Sequence, residues 1–189
     1  MDDVDYLNAS RAQEAATQIL LQIATKIGVH SNDPSIYTGY SDEHLLRDMI
    51  STIHSMMECS EWCSAIASIL YARFVTRIPS SLIKNKMQFR AWFVIIMIVA
   101  NKQQDDEAHT IFTAPAILRR HRLSVVKEGM PPISHHYRRD VDIDYCEVMQ
   151  AYFLRAVDWR LHVTPELLKL CTDTPEFTLT HAFVDHVVV

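Results

Sequence analysis

The scarcity of glycine is the feature that most constrains the fold of this chain. At the average usage of about 7%, a chain of 189 residues would hold about 13 glycines, but the sequence has only Gly28, Gly39 and Gly129. Neither the phosphate loop G-x-x-x-x-G-K-[ST] nor the dinucleotide pattern G-x-G-x-x-G can be built from these three, and both need glycine so that backbone can approach phosphate. β-Hairpin turns also use glycine at positive φ. The scarcity therefore excludes both loops and favours an all-α protein.

Charge and hydropathy narrow the class further. The chain carries 18 Lys and Arg against 23 Asp and Glu, a net charge of −5. A protein that binds nucleic acid independently of sequence is expected to have a positive surface potential, which this balance does not provide. Residues 1–5 are acidic where a signal peptide would be basic, and the longest apolar run, Ala91 to Ala100, is too short for a membrane span. With no secretory signal, the four cysteines are interpreted as reduced thiols. We expect one soluble cytoplasmic or nuclear domain, with no membrane or nucleic-acid partner.

Three amphipathic helices are predicted in the first 80 residues. Gly28 is expected to cap the first helix, Ser41 to begin the second, and Pro79 to end the third, which starts after a break near Cys59 and Ser60. Their apolar stripes have helical spacing: Ala12, Ala15, Ala16, Ile19, Leu20, Ile23, Ala24 and Ile27; Leu45, Leu46, Met49, Ile50, Ile53 and Met57; Trp62, Ile66, Ile69, Leu70 and Phe74.

The segment from Met87 to Lys102 is apolar nearly all round, which predicts a central helix packed on several sides. A buried strand is the alternative, but the length of the segment favours helix. A weaker helix is expected at about 110–121, followed by an irregular loop. The last strong helix begins near Asp142 or Asp144, ends before Pro165, and carries Val148, Met149, Tyr152, Phe153, Val157 and Trp159.

Residues with catalytic or metal-binding chemistry are scattered. Residues 106–109 read DEAH, a helicase motif, but without a phosphate loop the match is accidental. His54, Cys59 and Cys63 could be assembled into a zinc site, although no C-x₂-C pair is present and small thiols on amphipathic helices are usually core residues. We therefore expect no metal, no cofactor and no catalytic residue.

Basic residues cluster around the predicted loop. They could dock phosphate groups or an acidic partner, although a solvated loop is the commoner outcome of such a composition. The cluster comprises Arg119, Arg120, Arg122, Lys127, Arg138 and Arg139.

Several short motifs, taken in order, resemble one family. Arg90 precedes the apolar run, residues 100–106 read ANKQQDD at its end, and residues 152–163 read YFLRAVDWRLHV. This order resembles a cyclin box, with its arginine, A-x-K-x-x-[DE]-[DE] and FL-x-x-[IV]-[DN]-W-x-L-x-V. Ile23-Ala24 followed by Asn32-Asp33, together with YARF at 71–74, is similar to single-box P/U-type cyclins of the yeast phosphate-signalling kind.

The resemblance implies a fold, a division of the chain and a partner. The fold would be all-α, a single cyclin box of five helices around one buried central helix, preceded by an additional N-terminal helix. Residues 1–40 would form that helix and a loop, 41–165 the box with an irregular insertion at about 122–141, and 166–189 a C-terminal tail. The chain would not be an enzyme. It would be the regulatory subunit of a cyclin-dependent protein kinase, a monomeric cyclin in a heterodimer.

The resemblance also implies a kinase-binding face. Lys102 matches the family lysine that grips the kinase's regulatory helix, and Asp105 and Asp106 follow it. The family's glutamate corresponds to Gln150, which brings no charge, and Glu147 lies one turn earlier as a substitute.

Two other functions stay open. A helical adaptor with the same box would bind a non-kinase partner through the basic insertion or the tail. Less expected is a metal-dependent helical enzyme that uses the histidines with Asp105 and Asp106.

Overall fold

Helices account for the regular structure of the computed structural model, which describes residues 3–29, 42–104, 114–117, 143–177 and 179. No strand occurs among these residues, so the all-α prediction is confirmed for them. Residues 114–117 are also helical. The α-helices are α1 (Asp3–Ile27), α2 (Asp42–Met56), α3 (Cys63–Val75), α4 (Lys86–Gln104), α5 (Ile143–Ala156) and α6 (Pro165–Asp173), and the short 3₁₀ helices are η1 (Ser80–Leu82) and η2 (Pro175–Phe177).

Helix α1 follows the predicted stripe and ends at the predicted glycine. Its buried apolar side chains are Ala12, Ala15, Ala16, Ile19, Leu20 and Ile23. Gly28 has φ +70°, and the Val29 N–H donates to the Ala24 carbonyl over 3.1 Å. This is the left-handed C-cap that glycine adopts without a Cβ penalty.

Helix α3 is the most enclosed element of the described structure. All of its residues from Cys63 to Val75 are buried, and it makes its most extensive contacts with α1 and α4. The sequence predicted one inward face beginning at Trp62, which lies half-buried before the helix. The prediction was wrong in extent, because small residues such as Ala65 and Ala72 let neighbours close over the other faces.

Helix α4 has the predicted central position but shares it with α3. Ten consecutive residues, Trp92 to Asn101, are buried. The helix starts at a cap that the sequence analysis overlooked: the Gln88 N–H donates to Asn85 Oδ1 over 2.9 Å, and the Lys84 N–H donates to Gln88 Oε1 over 2.8 Å. The pattern Asn-x-x-Gln is the sequence signal of such a cap.

The relative direction of α3 and α4 follows from their contacts. Cys63 Sγ lies 3.8 Å from the Met97 carbonyl, and the Tyr71 hydroxyl donates to the Phe89 carbonyl over 2.9 Å. Helices α3 and α4 are therefore antiparallel. The burial of that hydroxyl raises the pKa of Tyr71 well above its ordinary value.

Helix α5 packs against α4, and its last turn contacts the end of α3. The Phe74 ring lies 5.5 Å from the Phe153 ring, and Arg77 Nη1 donates to the Ala156 carbonyl over 3.5 Å. Phe74, near the end of α3, and Arg77, just after α3, thus both meet the last turn of α5. Trp92 and Tyr152, with ring centroids 5.9 Å apart, join the start of α4 to the second half of α5.

Half of the apolar residues predicted on α5 are buried. Met149, Phe153 and Val157 are buried, whereas Val148 and Trp159 are each 65% exposed and Tyr152 is 40% exposed. The helix begins at Ile143, so Asp144 lies in its first turn and was wrongly predicted as a cap. Asp142 lies outside the described residues, as do Ser41 and the predicted helix at 110–113 and 118–121.

Helix α6 lies in the part of the chain expected to be a tail. Thr164 caps it by accepting the Leu167 N–H over 3.2 Å, and Pro165 occupies the first turn. Leu167 and Cys171 are buried against the rest of the molecule, where α6 contacts α1 and α3. A Thr-Pro-Glu start was a readable helix signal.

Candidate functional site

Lys102 marks the point at which α4 leaves the core. The ten residues before it are buried, while Lys102, Gln103 and Gln104 are exposed. Within the described ranges, the structure records no ion pair for the Lys102 ammonium. The lysine therefore presents its charge to solvent in the last turn of α4, where a cation is favoured by the helix dipole.

Glu147 and Gln150 lie on α5, which packs against α4. Glu147 is exposed and Gln150 is half-buried. The Trp92 and Tyr152 rings, with centroids 5.9 Å apart, join α4 to α5. Glu147 and Gln150 therefore lie on the helix that packs against the one carrying Lys102.

The remaining predicted site residues lie outside the described part of the chain. These are Asp105, Asp106, Arg119, Arg120, Arg122, Arg138 and Arg139.

Among the described residues, several buried polar atoms without a hydrogen-bond partner lie near the start of α3 and the end of α4. Within the described residues, Ser64 Oγ and Asn101 Oδ1 make no hydrogen bond, although both residues are fully enclosed. Glu61 Oε2 is also buried without a partner, while Glu61 Oε1 accepts the Trp62 indole N–H over 2.7 Å. Such atoms are few in folded proteins, because each carries a desolvation cost.

Two arginines, one on α3 and one just after it, donate hydrogen bonds to the end of α5 and to the turn that follows it. Arg73 Nη1 donates to the Arg160 carbonyl over 3.2 Å and to the His162 carbonyl over 2.7 Å, and Arg77 bonds the Ala156 carbonyl. Within this turn, Asp158 has φ 56° and Trp159 has φ 57°. Left-handed backbone costs about 1 to 2 kcal/mol for residues with a Cβ, so the arginine bonds help to fix a disfavoured conformation.

No motif in the sequence assigns a separate role to Arg73, Arg77, Asp158 or Trp159. A usable signal existed for Arg73, the only charged residue of α3, because a charge in an otherwise apolar helix must find acceptors. No signal existed for the left-handed turn, since neither Asp158 nor Trp159 is glycine and a tryptophan there is unusual.

One groove lies between α1, α2 and α4. It is lined by Leu21, Val29, Leu46, Phe89 and neighbouring residues, with Lys86 Nζ bonded to Asp42 Oδ1 over 2.9 Å at its side. Its cavity volume of about 30 Å³ is far below the roughly 300 to 1,000 Å³ of a small-molecule site. This groove therefore does not suit a nucleotide or an organic cofactor.

The described residues contain no group of three His, Cys, Asp or Glu side chains arranged to hold a metal ion, so His54, Cys59 and Cys63 do not form such a group. No helix in the described ranges has the length and apolarity needed to cross a membrane.

Comparison with known proteins gave no relative. No protein-family model, curated protein or solved structure matches the chain.

Proposed function

We propose that this protein is a cyclin-like regulatory subunit that binds and activates a cyclin-dependent protein kinase. The observation that carries the proposal is the position of Lys102, which is exposed directly after ten buried residues of α4, the helix that packs against α5 with its exposed Glu147. A cation and a carboxylate fixed on two packed helices can grip a partner's helix through charge-assisted hydrogen bonds.

The chain itself carries out no chemistry in this proposal. Its contact biases the kinase's regulatory helix toward the active position, so that the kinase's own Lys–Glu pair and Mg²⁺ site assemble. The rigid interior of α3 and α4 supports this role, since a helix end anchored in a packed core keeps its geometry when a partner binds. Residues 100–106 and 152–163, which resemble cyclin motifs, include Lys102 and border Glu147 and Gln150.

The first prediction concerns charge reversal at Lys102. Lys102→Glu is expected to reduce the amount of cyclin-dependent kinase recovered with the full chain by about tenfold, because one buried or rim charge pair contributes about 1.4 kcal/mol or more at such an interface. The measurement is co-purification from cells that co-express the chain with each cyclin-dependent kinase of its source, followed by a kinase assay.

Lys26→Glu is the matched control for this experiment. Lys26 is also an exposed lysine in the last turn of a helix, α1, so its reversal changes net charge and helix dipole equally. Thermal unfolding should be nearly the same in both variants. Equal kinase recovery with Lys102→Glu and Lys26→Glu would contradict the proposal.

A further inference from the structure

The turn that follows α5 presents an exposed tryptophan on a fixed backbone. The Arg160 N–H donates to the Val157 carbonyl over 3.0 Å and closes the turn, with Asp158 and Trp159 both left-handed. The Trp159 N–H donates to the Leu154 carbonyl over 2.9 Å, so the residue lies beside the last turn of α5. A strained backbone that is held by several bonds is a known sign of a functional position.

Exposed side chains of α5 extend this feature. Val148 and Tyr152 are one turn apart on the same face of α5, and Arg155 is exposed in the last turn. The Tyr152 ring is fixed by edge contact with Phe74 at 6.2 Å. We call Val148, Tyr152, Arg155, Trp159 and Arg160 the Trp159 patch.

The charge at the patch is positive, although the chain is acidic overall. Arg155 and Arg160 are exposed members of the patch, and Asp158, exposed between them in the sequence, has its Oδ2 3.6 Å from Arg160 Nε, so two guanidinium groups face one carboxylate. A net charge of −5 for the whole chain makes this a local basic site rather than part of a general field. Its complement is an acidic ligand.

We propose that the Trp159 patch docks an acidic peptide segment of a partner protein. A large apolar side chain of the segment packs on the Trp159 ring, and its carboxylates pair with Arg155 and Arg160. Tryptophan, tyrosine and arginine are the residue types that dominate binding energy at protein interfaces. A peptide fits better than a nucleic acid, because two arginines can pair with a few carboxylates but cannot neutralise a continuous phosphate backbone.

The end of this surface that carries Arg155, Trp159 and Arg160 lies away from Lys102 of the proposed kinase-binding face, although Val148 adjoins Glu147 in the sequence. Trp92 contacts Tyr152 near the patch, and Lys102 lies ten residues further along α4, about 15 Å away along the helix axis. A failure of one proposal therefore leaves the other standing, and the test below uses no kinase.

The test measures fluorescence anisotropy of short labelled peptides titrated with the full chain. The probe is a peptide of Glu and Ser with one central Leu. The comparison peptides replace every Glu by Lys, or the Leu by Ser. We expect the acidic Leu peptide to bind at least about tenfold more tightly than either comparison peptide, and to weaken as salt is raised.

Variants of the chain locate the site. Trp159→Ala and Arg155→Glu should each weaken the acidic Leu peptide by about tenfold or more, whereas Trp159→Phe should retain most of the binding and Lys26→Glu all of it. Arg155→Glu changes an exposed side chain, so it decides the matter even if Trp159→Ala does not fold.

Four results would overturn the proposal. These are no saturable binding below about 1 mM, equal binding of the acidic and the lysine peptide, unchanged binding by Trp159→Ala together with Arg155→Glu, and tighter binding of single-stranded oligothymidylate than of the acidic peptide.

Discussion

At the scale of single residues, left-handed backbone occurs where helices end. Gly28, Glu58, Asp158 and Trp159 have positive φ, and each follows the last turn of a helix. Only the first of the four is glycine. At Gly28 a Cβ would meet nothing within 4 Å, so glycine is preferred there for its backbone freedom alone. Trp159 carries a Cβ and lacks this backbone freedom, so its positive φ is a disfavoured conformation.

The left-handed backbone at Trp159 predicts that glycine and alanine at this position rank in stability opposite to their order in a helix interior. Trp159→Gly should be more stable than Trp159→Ala by about 1 kcal/mol, because both remove the ring and only alanine retains the left-handed penalty. Chemical denaturation of the two variants measures the difference in free energy of unfolding.

Ala151 supplies the control for this comparison. It is exposed in the middle of α5, where glycine should be less stable than alanine by about 1 kcal/mol. The same order of glycine and alanine at both positions would show that the turn at Trp159 stores no strain.

At the scale of elements, burial of α3 has a cost that can be measured. Ser64 and Ser68 lie one turn apart, and both are fully buried. Ser68 Oγ donates to the Ala65 carbonyl over 2.8 Å, whereas Ser64 Oγ has no partner within the described residues. The two buried hydroxyls therefore differ in whether they make a hydrogen bond.

Alanine at these two positions should therefore have different effects. Ser64→Ala is expected to raise the free energy of unfolding by about 1 kcal/mol, because it removes an unsatisfied buried hydroxyl. Ser68→Ala should leave it unchanged or lower it by up to about 1 kcal/mol, because it removes a formed hydrogen bond. Urea titration of both variants checks this, and an equal gain from both would refute the explanation.

Periodicity predicted the elements that have one buried face and failed for the others. The stripe from Ala12 to Ile23 and the group of Met49, Ile50 and Ile53 are buried as expected. On α3, small residues allow burial on every side, and no repeat in the sequence reports that. On α5, Val148 and Tyr152 resemble core residues by type alone, yet they are exposed.

Only part of the candidate site could be predicted from the sequence. A motif can place Lys102 at a helix end, because the apolar run stops there. The packing of α5, which carries Glu147 and Gln150, against α4 is a tertiary contact that no motif in the sequence reports. Likewise, the acceptors of Arg73 are carbonyls about ninety positions away along the chain, a separation at which short motifs carry no information.

At the scale of the molecule, residues beyond the predicted box complete the core. Leu167 and Cys171 are buried, Arg11 pairs with Asp173, and Gln22 Nε2 donates to the Pro175 carbonyl over 2.6 Å. The C-terminal part of the described chain thus packs on α1.

A shortened chain tests this contribution. Ending the chain after Thr164 should lower the free energy of unfolding by about 3 kcal/mol or more, since it re-exposes the apolar area that Leu167 and Cys171 cover. Ending it after Leu179 retains α6 and η2 and should have a much smaller effect. Calorimetry of the two chains is the measurement, and equal melting temperatures would mean that α6 adds nothing to the core.

The complete enclosure of α3 also limits how this protein can change over evolution. None of its thirteen positions faces solvent, so nearly every replacement there must preserve side-chain volume. Outer residues of α5 such as Val148 and Ala151 carry no such restriction. Descendants of this chain would therefore diverge at the exposed positions of α5 while keeping α3 nearly constant, so the outer surface can change without a new fold.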